Sequence, residues 1–284
     1  MIDRFFNAQN VVTDFHEKSS RYLCFLRVGN YIPDYAFLGK EYGFDVFISA
    51  YMEPINYNKF INFASGVSTG GLSKFHAFKE LSSQLPSLLY YDYYAFIDAD
   101  IVTTAETISA LFEQGELLGL DCYQPAVSKD SYSAFHFLFE GYGTGFLRTN
   151  FVEVMCPFMS KKMLIDVVDL FDKSISTWGL DYLWPNISTD AKIGVFYNFI
   201  VIHPDFPDSK NGPFYKYLHS LNVDPYVELA TILKSYIRIG YYPHAGHDWT
   251  FSYIGMWLWR PIEWLSRRRA KRAIKKKIRG FNEC

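Results

Sequence analysis

The chain has 284 residues, 49% of them hydrophobic and 20% charged, which excludes a disordered or fibrous protein and leaves room for one large α/β domain with an appendage. A formal net charge of −2 hides an asymmetry: residues 260–284 carry ten Lys or Arg against two acids, while the remainder carries 18 basic and 28 acidic residues. No apolar leader is read at the N-terminus, and no run reaches the roughly 18 apolar residues that a spanning helix needs.

In chain order, residues 22–28 predict a first strand, broken by Gly29, Asn30 and Pro33, and residues 44–51 a second. Residues 60–64 predict a short third strand that stops at Ser65-Gly66. After Gly70-Gly71, the residues Leu72, Phe75, Phe78 and Leu81 share one helical face. A strand from Tyr93 then leads into Asp98-Ala99-Asp100, and a helix follows over about 104–114. An apolar strand is expected near 121–127, an extended segment at 151–155, a helix at 160–173 and a strand at 194–202 that runs into His203. The glycines at 141, 143 and 145 space a flexible stretch between them, and residues 205–255 show no clear pattern. Strands alternating with helical patterns predict βα units in a mostly parallel sheet. Cys24, Cys122 and Cys156 lie in apolar stretches and read as buried thiols, which fits a reducing compartment; with Cys284 they show no metal-ligand spacing.

Asp98 and Asp100 carry the most chemistry. They sit at the C-terminal end of a buried strand, where open α/β sheets collect ligands. Two hard oxygen ligands there suit Mg²⁺ or Mn²⁺, and such an ion usually brings a phosphate. The structural alternative is that both aspartates cap the helix at 103–114.

Four patterns line up in order: Phe-Ile-Asp-Ala-Asp-Ile at 96–101, Val-Glu-Val-Met-Cys-Pro-Phe-Met-Ser at 152–160, Thr-Trp-Gly-Leu-Asp-Tyr-Leu-Trp at 177–184, and Ile-Val-Ile-His-Pro at 200–204. Together they resemble a glycosyltransferase of the GT-A type, and more closely the uncharacterised glycosyltransferase-like family called domain of unknown function 707. The resemblance covers about residues 20–205. It implies a Rossmann-like catalytic domain, taken over 1–255; the tryptophans and cations of 256–284 read on their own as a basic, Trp-rich amphipathic tail. The resemblance also implies a metal-dependent transfer from a nucleotide-diphosphate sugar to a glycan or lipid-linked hydroxyl, in surface polysaccharide biosynthesis, with inversion favoured.

Residue by residue, the resemblance makes Asp98, Asp100 and His203 the ligands of Mn²⁺ or Mg²⁺, and Asp98 with Lys74 the donor contacts. Asp181 becomes the base on the acceptor hydroxyl, and Glu153 and Trp178 acceptor contacts. Each has a plainer reading. His203 is a structural strand-end histidine, Lys74 an exposed helix lysine, Asp181 a cap, Glu153 a partner of Arg148, and Trp178 and Trp184 core. His244, His247 and Asp248 read as a polar loop or a second metal site. The tail reads as an interfacial helix on an anionic membrane surface, placing a cytoplasmic enzyme at the inner face; a solvated basic helix is the alternative, and no nucleic-acid fold motif accompanies the charge. A nucleotide-sugar or phosphate hydrolase, and a non-catalytic glycan- or membrane-binding protein on a degenerate transferase fold, are the rival functions.

Overall fold

The computed structural model describes residues 11–15, 19–29, 31–51, 64–187, 190–203, 212–237, 241 and 243–245. Nine strands form one sheet in the order β1-β4-β3-β2-β5-β8-β6-β9-β7. They are β1 (Val11–Phe15), β2 (Tyr22–Val28), β3 (Asp45–Ala50), β4 (Gly66–Thr69), β5 (Tyr93–Asp98), β6 (Cys122–Val127), β7 (Phe146–Arg148), β8 (Phe158–Ser160) and β9 (Ile193–Val201). The run β4-β3-β2-β5 is parallel, as is the pair β6-β9. The antiparallel members are β1 and β7 at the two edges and β8 in the middle.

Six helices are described: α1 (Lys74–Gln84), α2 (Ala105–Leu117), α3 (Lys161–Val167), α4 (Leu180–Ile187), α5 (Pro213–Ser220) and α6 (Pro225–Tyr236). They cover both faces of the sheet. Ile108, Leu111 and Phe112 of α2 pack with Leu26, Ile48 and Ile97 on one face. Phe75, Phe78 and Leu81 of α1, Met163 and Leu164 of α3, Leu183 and Trp184 of α4, and Ile232 of α6 pack with Phe25, Phe47 and Phe96 on the other. The alternation within β2 and β5 follows from the period of two: Cys24 and Leu26 face one layer, Leu23 and Phe25 the other. Burial on both faces explains why these strands read as continuous apolar runs. Gly115, within α2, is set against the Tyr123 ring, where a Cβ would overlap it. A helical glycine costs about 1 kcal/mol against alanine, and here close helix–sheet approach requires it.

The capping alternative for the aspartates fails. Thr104 is the N-cap of α2, and its side chain accepts from the Thr107 N–H at 3.2 Å. The short third strand expected at 60–64 lies, but for residue 64, outside the described residues; β4 is Gly66–Thr69. The extended segment expected at 151–155 contains no strand, and β8 begins three residues later. Cys24, Cys122 and Cys156 are free and buried, as expected. Among the described residues, no helix is long and apolar enough to cross a membrane. The tail at 256–284, and with it His247 and Asp248, lies outside the described residues.

Candidate functional site

The site lies where the chain's connections part. From β2 the chain moves to β3 and β4 on one side, and it returns through α1 to β5 on the other. β2 and β5 are therefore parallel neighbours at a topological switch point, and ligands bind outside the carboxyl ends of such strands. Arg27 and Asp98, the residues at that end, are paired in register.

A short antiparallel bridge brings His203 to this place. The Val102 N–H donates to Ile202 O at 2.8 Å, and the Ile202 N–H returns to Val102 O at 3.1 Å. His203 follows directly, and its Nε2 stands 3.4 Å from Asp100 Oδ2. The His203 backbone N–H donates to Ser131 Oγ at 2.9 Å, and its Nδ1 faces the Tyr132 carbonyl at 3.4 Å. A carbonyl only accepts, so Nδ1 carries the proton that points there, and Nε2 is the nitrogen turned toward the aspartates. Burial pulls the imidazole pKa down, but the Asp100 carboxylate outweighs it and the net shift is upward. Asp100 is shifted down: burial opposes ionisation, and the His203 pairing overcomes it.

Asp98 is shifted the other way. Burial raises its pKa, Lys74 offsets part of this, and the like charge of Asp100 adds to the rise. The carboxylate is still 39% exposed, so solvent tempers the effect. Lys74 is only 3% exposed, which removes the reading of an ordinary surface lysine. Its Nζ lies 3.0 Å from Asp98 Oδ1 and donates to the carbonyls of Phe96, Val154 and Met155.

Glu153 is also buried, and its carboxylate accepts from the Ser133 hydroxyl at 2.9 Å and from the Ala134 N–H. Arg148, considered as its partner, donates to the Ala191 carbonyl. Glu153 lies within electrostatic reach of both His203 and Asp181. Asp181 sits in the first turn of α4, where its Oδ1 accepts from the Tyr182 N–H at 3.1 Å. Burial first, and Glu153 second, raise its pKa well above the ordinary carboxylate range. The structure pairs Asp98 with Lys74 and Asp100 with His203, and sets Glu153 and Asp181 within electrostatic reach of each other.

Trp178 and Trp184 part company. Trp184 is core, 1% exposed. Trp178 is half-buried and makes T-shaped contacts with Tyr226 at 5.0 Å and Tyr215 at 6.3 Å between ring centroids. Tyr215, whose hydroxyl burial pushes up to about 12, also feels Asp98. The loop holding Trp178 is tied down by Glu228 of α6, which accepts from the Ser174 hydroxyl and from the N–H groups of Ile175 and Ser176. Tyr215, Tyr226 and Glu228 escape sequence reading. One signal for α6 was present: Asp224 before Pro225 is an N-cap followed by proline at N1, and its side chain accepts from the Tyr226 N–H at 2.8 Å. His244 is held at Asn150 by backbone bonds, its N–H donating to Asn150 Oδ1 at 2.7 Å.

No protein-family model matches the chain, and no curated protein matches it either. The likeness to the family called domain of unknown function 707 therefore remains one of four short motifs. Solved structures do resemble it. The mannosyltransferase PcManGT from Pyrobaculum calidifontis, in complex with GDP-Man and Mn²⁺, has a TM-score of 0.48 at 10% identity, over 97% of this chain and 92% of that one. TarS from S. aureus has a TM-score of 0.43 at 13% identity, over 76% and 44% of the two chains. A197 from STIV has a TM-score of 0.35 at 14% identity, over 62% and 81%. Likeness of this order assigns no activity.

Proposed function

We propose that the protein is a metal-dependent glycosyltransferase of GT-A type. It moves a sugar from a nucleotide-diphosphate donor to a hydroxyl of a glycan or lipid-linked acceptor. The observation that carries this reading is the meeting of Asp100 and His203 beside Asp98 at the switch point of the sheet. Asp100 and His203 offer a divalent ion of the Mn²⁺ or Mg²⁺ kind one carboxylate and one imidazole nitrogen; Asp98 stands beside them without converging on the same position, so the remaining ligands would come from the donor's diphosphate and from water. When bound, the ion would neutralise charge on the departing diphosphate as a Lewis acid.

The chain's own groups do the rest. Tyr132 O holds the His203 ring with Nε2 toward the aspartates. Asp181 takes the proton from the acceptor hydroxyl, whose oxygen bonds to the anomeric carbon while that carbon's bond to the phosphate oxygen breaks. The bonding pair leaves with the nucleoside diphosphate. A raised pKa makes Asp181 a stronger proton acceptor than an ordinary carboxylate once it is ionised. Attack from the face opposite the leaving group gives inversion. Trp178, framed by Tyr215 and Tyr226, offers an aromatic face to an acceptor ring. The basic segment at 256–284 would draw the enzyme to anionic lipid at the cytoplasmic face of a membrane, near lipid-linked acceptors in surface polysaccharide assembly.

The test is a panel of nucleotide sugars with Mn²⁺ or a chelator, read as nucleoside diphosphate released, with the product's anomeric configuration read by NMR. Metal-dependent release that needs an acceptor is expected. Turnover indifferent to chelation overturns the metal assignment, and equal turnover without acceptor makes the protein a hydrolase.

A further inference from the structure

Lys74 is a buried charge that the mechanism above leaves unused. Its ammonium has three protons and faces four acceptors: Asp98 Oδ1 at 3.0 Å, Val154 O at 2.6 Å, Phe96 O at 3.1 Å and Met155 O at 3.2 Å. Three of these are backbone carbonyls of β5 and of the segment before β8. They hold the ammonium in place whatever Asp98 does. Lys74 is thus a fixed charge and does not follow the carboxylate.

Both aspartates are engaged within the chain, Asp98 with Lys74 and Asp100 with His203. Among the described residues, no three His, Cys, Asp or Glu side chains converge on a common metal position. A divalent ion arriving alone meets two carboxylates whose charge is already partly offset, beside a cation that cannot move away. A nucleoside diphosphate adds further negative charge and oxygen ligands to the same place.

We propose that Lys74 is a positioning residue that makes ion binding conditional on the diphosphate, so that the protein holds the divalent ion only as part of a metal–nucleotide pair. This rests on the metal-dependent reading above. By linkage, the ion and the nucleotide must then tighten each other by the same factor.

The experiment measures Mn²⁺ binding by water-proton relaxation, which rises when the ion tumbles with the protein. Mn²⁺ is titrated alone and with UDP, GDP, ADP or dTDP, against nucleotide-only controls. The wild-type chain is expected to bind Mn²⁺ at least about tenfold more tightly with one of these diphosphates than alone. Lys74→Gln, checked for folding by circular dichroism, is expected to bind Mn²⁺ alone about tenfold more tightly than wild type. Lys74→Arg keeps the charge and is expected to retain the nucleotide dependence. Mn²⁺ bound equally well with and without every diphosphate overturns the inference and leaves the metal reading standing. A folded Lys74→Gln that binds Mn²⁺ as weakly as wild type also overturns it. Wild type that binds Mn²⁺ under neither condition overturns the metal reading itself. If Lys74→Gln does not fold, the wild-type comparison and Lys74→Arg decide.

Discussion

Asp98 and Asp100 are two residues apart and lie in opposite electrostatic surroundings. Asp98 is pushed toward its neutral form by burial, and Asp100 is held ionised by His203. Asp100→Ala removes one proposed ligand and the partner of another. It is expected to cut donor turnover by at least about 100-fold with an unchanged circular dichroism spectrum; an active variant rejects the ligand role.

Asp181 gives a prediction of the opposite kind. Its folded pKa lies above its unfolded one, so the folded chain holds that proton more tightly. Its contribution to stability is full below the unfolded value, about 4, and is lost as pH rises through the folded value. At neutral pH the folded chain must either keep a proton on Asp181 or bury its charge, a burden that asparagine lacks. Asp181→Asn should melt higher than wild type at pH 7, the gap closing toward pH 4. It should also lose about 10²–10⁴ in kcat. A variant that melts lower and turns over normally contradicts both. These residues were legible because each ends a strand or stands in a motif. Glu153's partners were not, because Ser133 and Ala134 are 20 and 19 residues away in the chain.

Elements were legible where two faces are buried. β2, β3, β5 and β9 appear as apolar runs close to their observed positions. β4 was not read as a strand because Gly-Val-Ser-Thr has one apolar side chain, and its pairing with β3 and β1 supplies what composition does not. The short edge strand β7 owes its place to β9 rather than to its own three residues. The loop before α4 is tertiary in origin as well. Thr177 takes φ +70° and Gly179 φ +93°, and a Cβ on Gly179 would sit 3.0 Å from Ile232 Cδ1 of α6. Gly179→Ala therefore strains the backbone and crowds α6 together. A loss of about 1–3 kcal/mol is expected in denaturant unfolding, with a raised KM for acceptor through Trp178. Unchanged stability and KM separate this loop from the acceptor side.

At the scale of the whole molecule, chain order places a mildly acidic body before a strongly basic end, with ten Lys or Arg against two acids in 260–284. Removing residues 256–284 is expected to release the protein from vesicles containing anionic lipid, in a sedimentation assay, while donor turnover with a soluble acceptor persists. Undiminished sedimentation removes the tail from the membrane proposal. Region 205–255 hid α5 and α6 because they bury few residues each. Tyr226 and Val227 are 60% and 61% exposed, so α6 has no continuous apolar stripe to read.

Strand β8 is three residues long and antiparallel to both neighbours, β5 and β6. It is the seam along which the two wings of the sheet are stitched. Asp98 belongs to one wing, and His203 follows the last strand but one of the other. A ligand gripping both would act as a clasp across that seam, and amides of β5 and β9 alike would exchange more slowly once it closed.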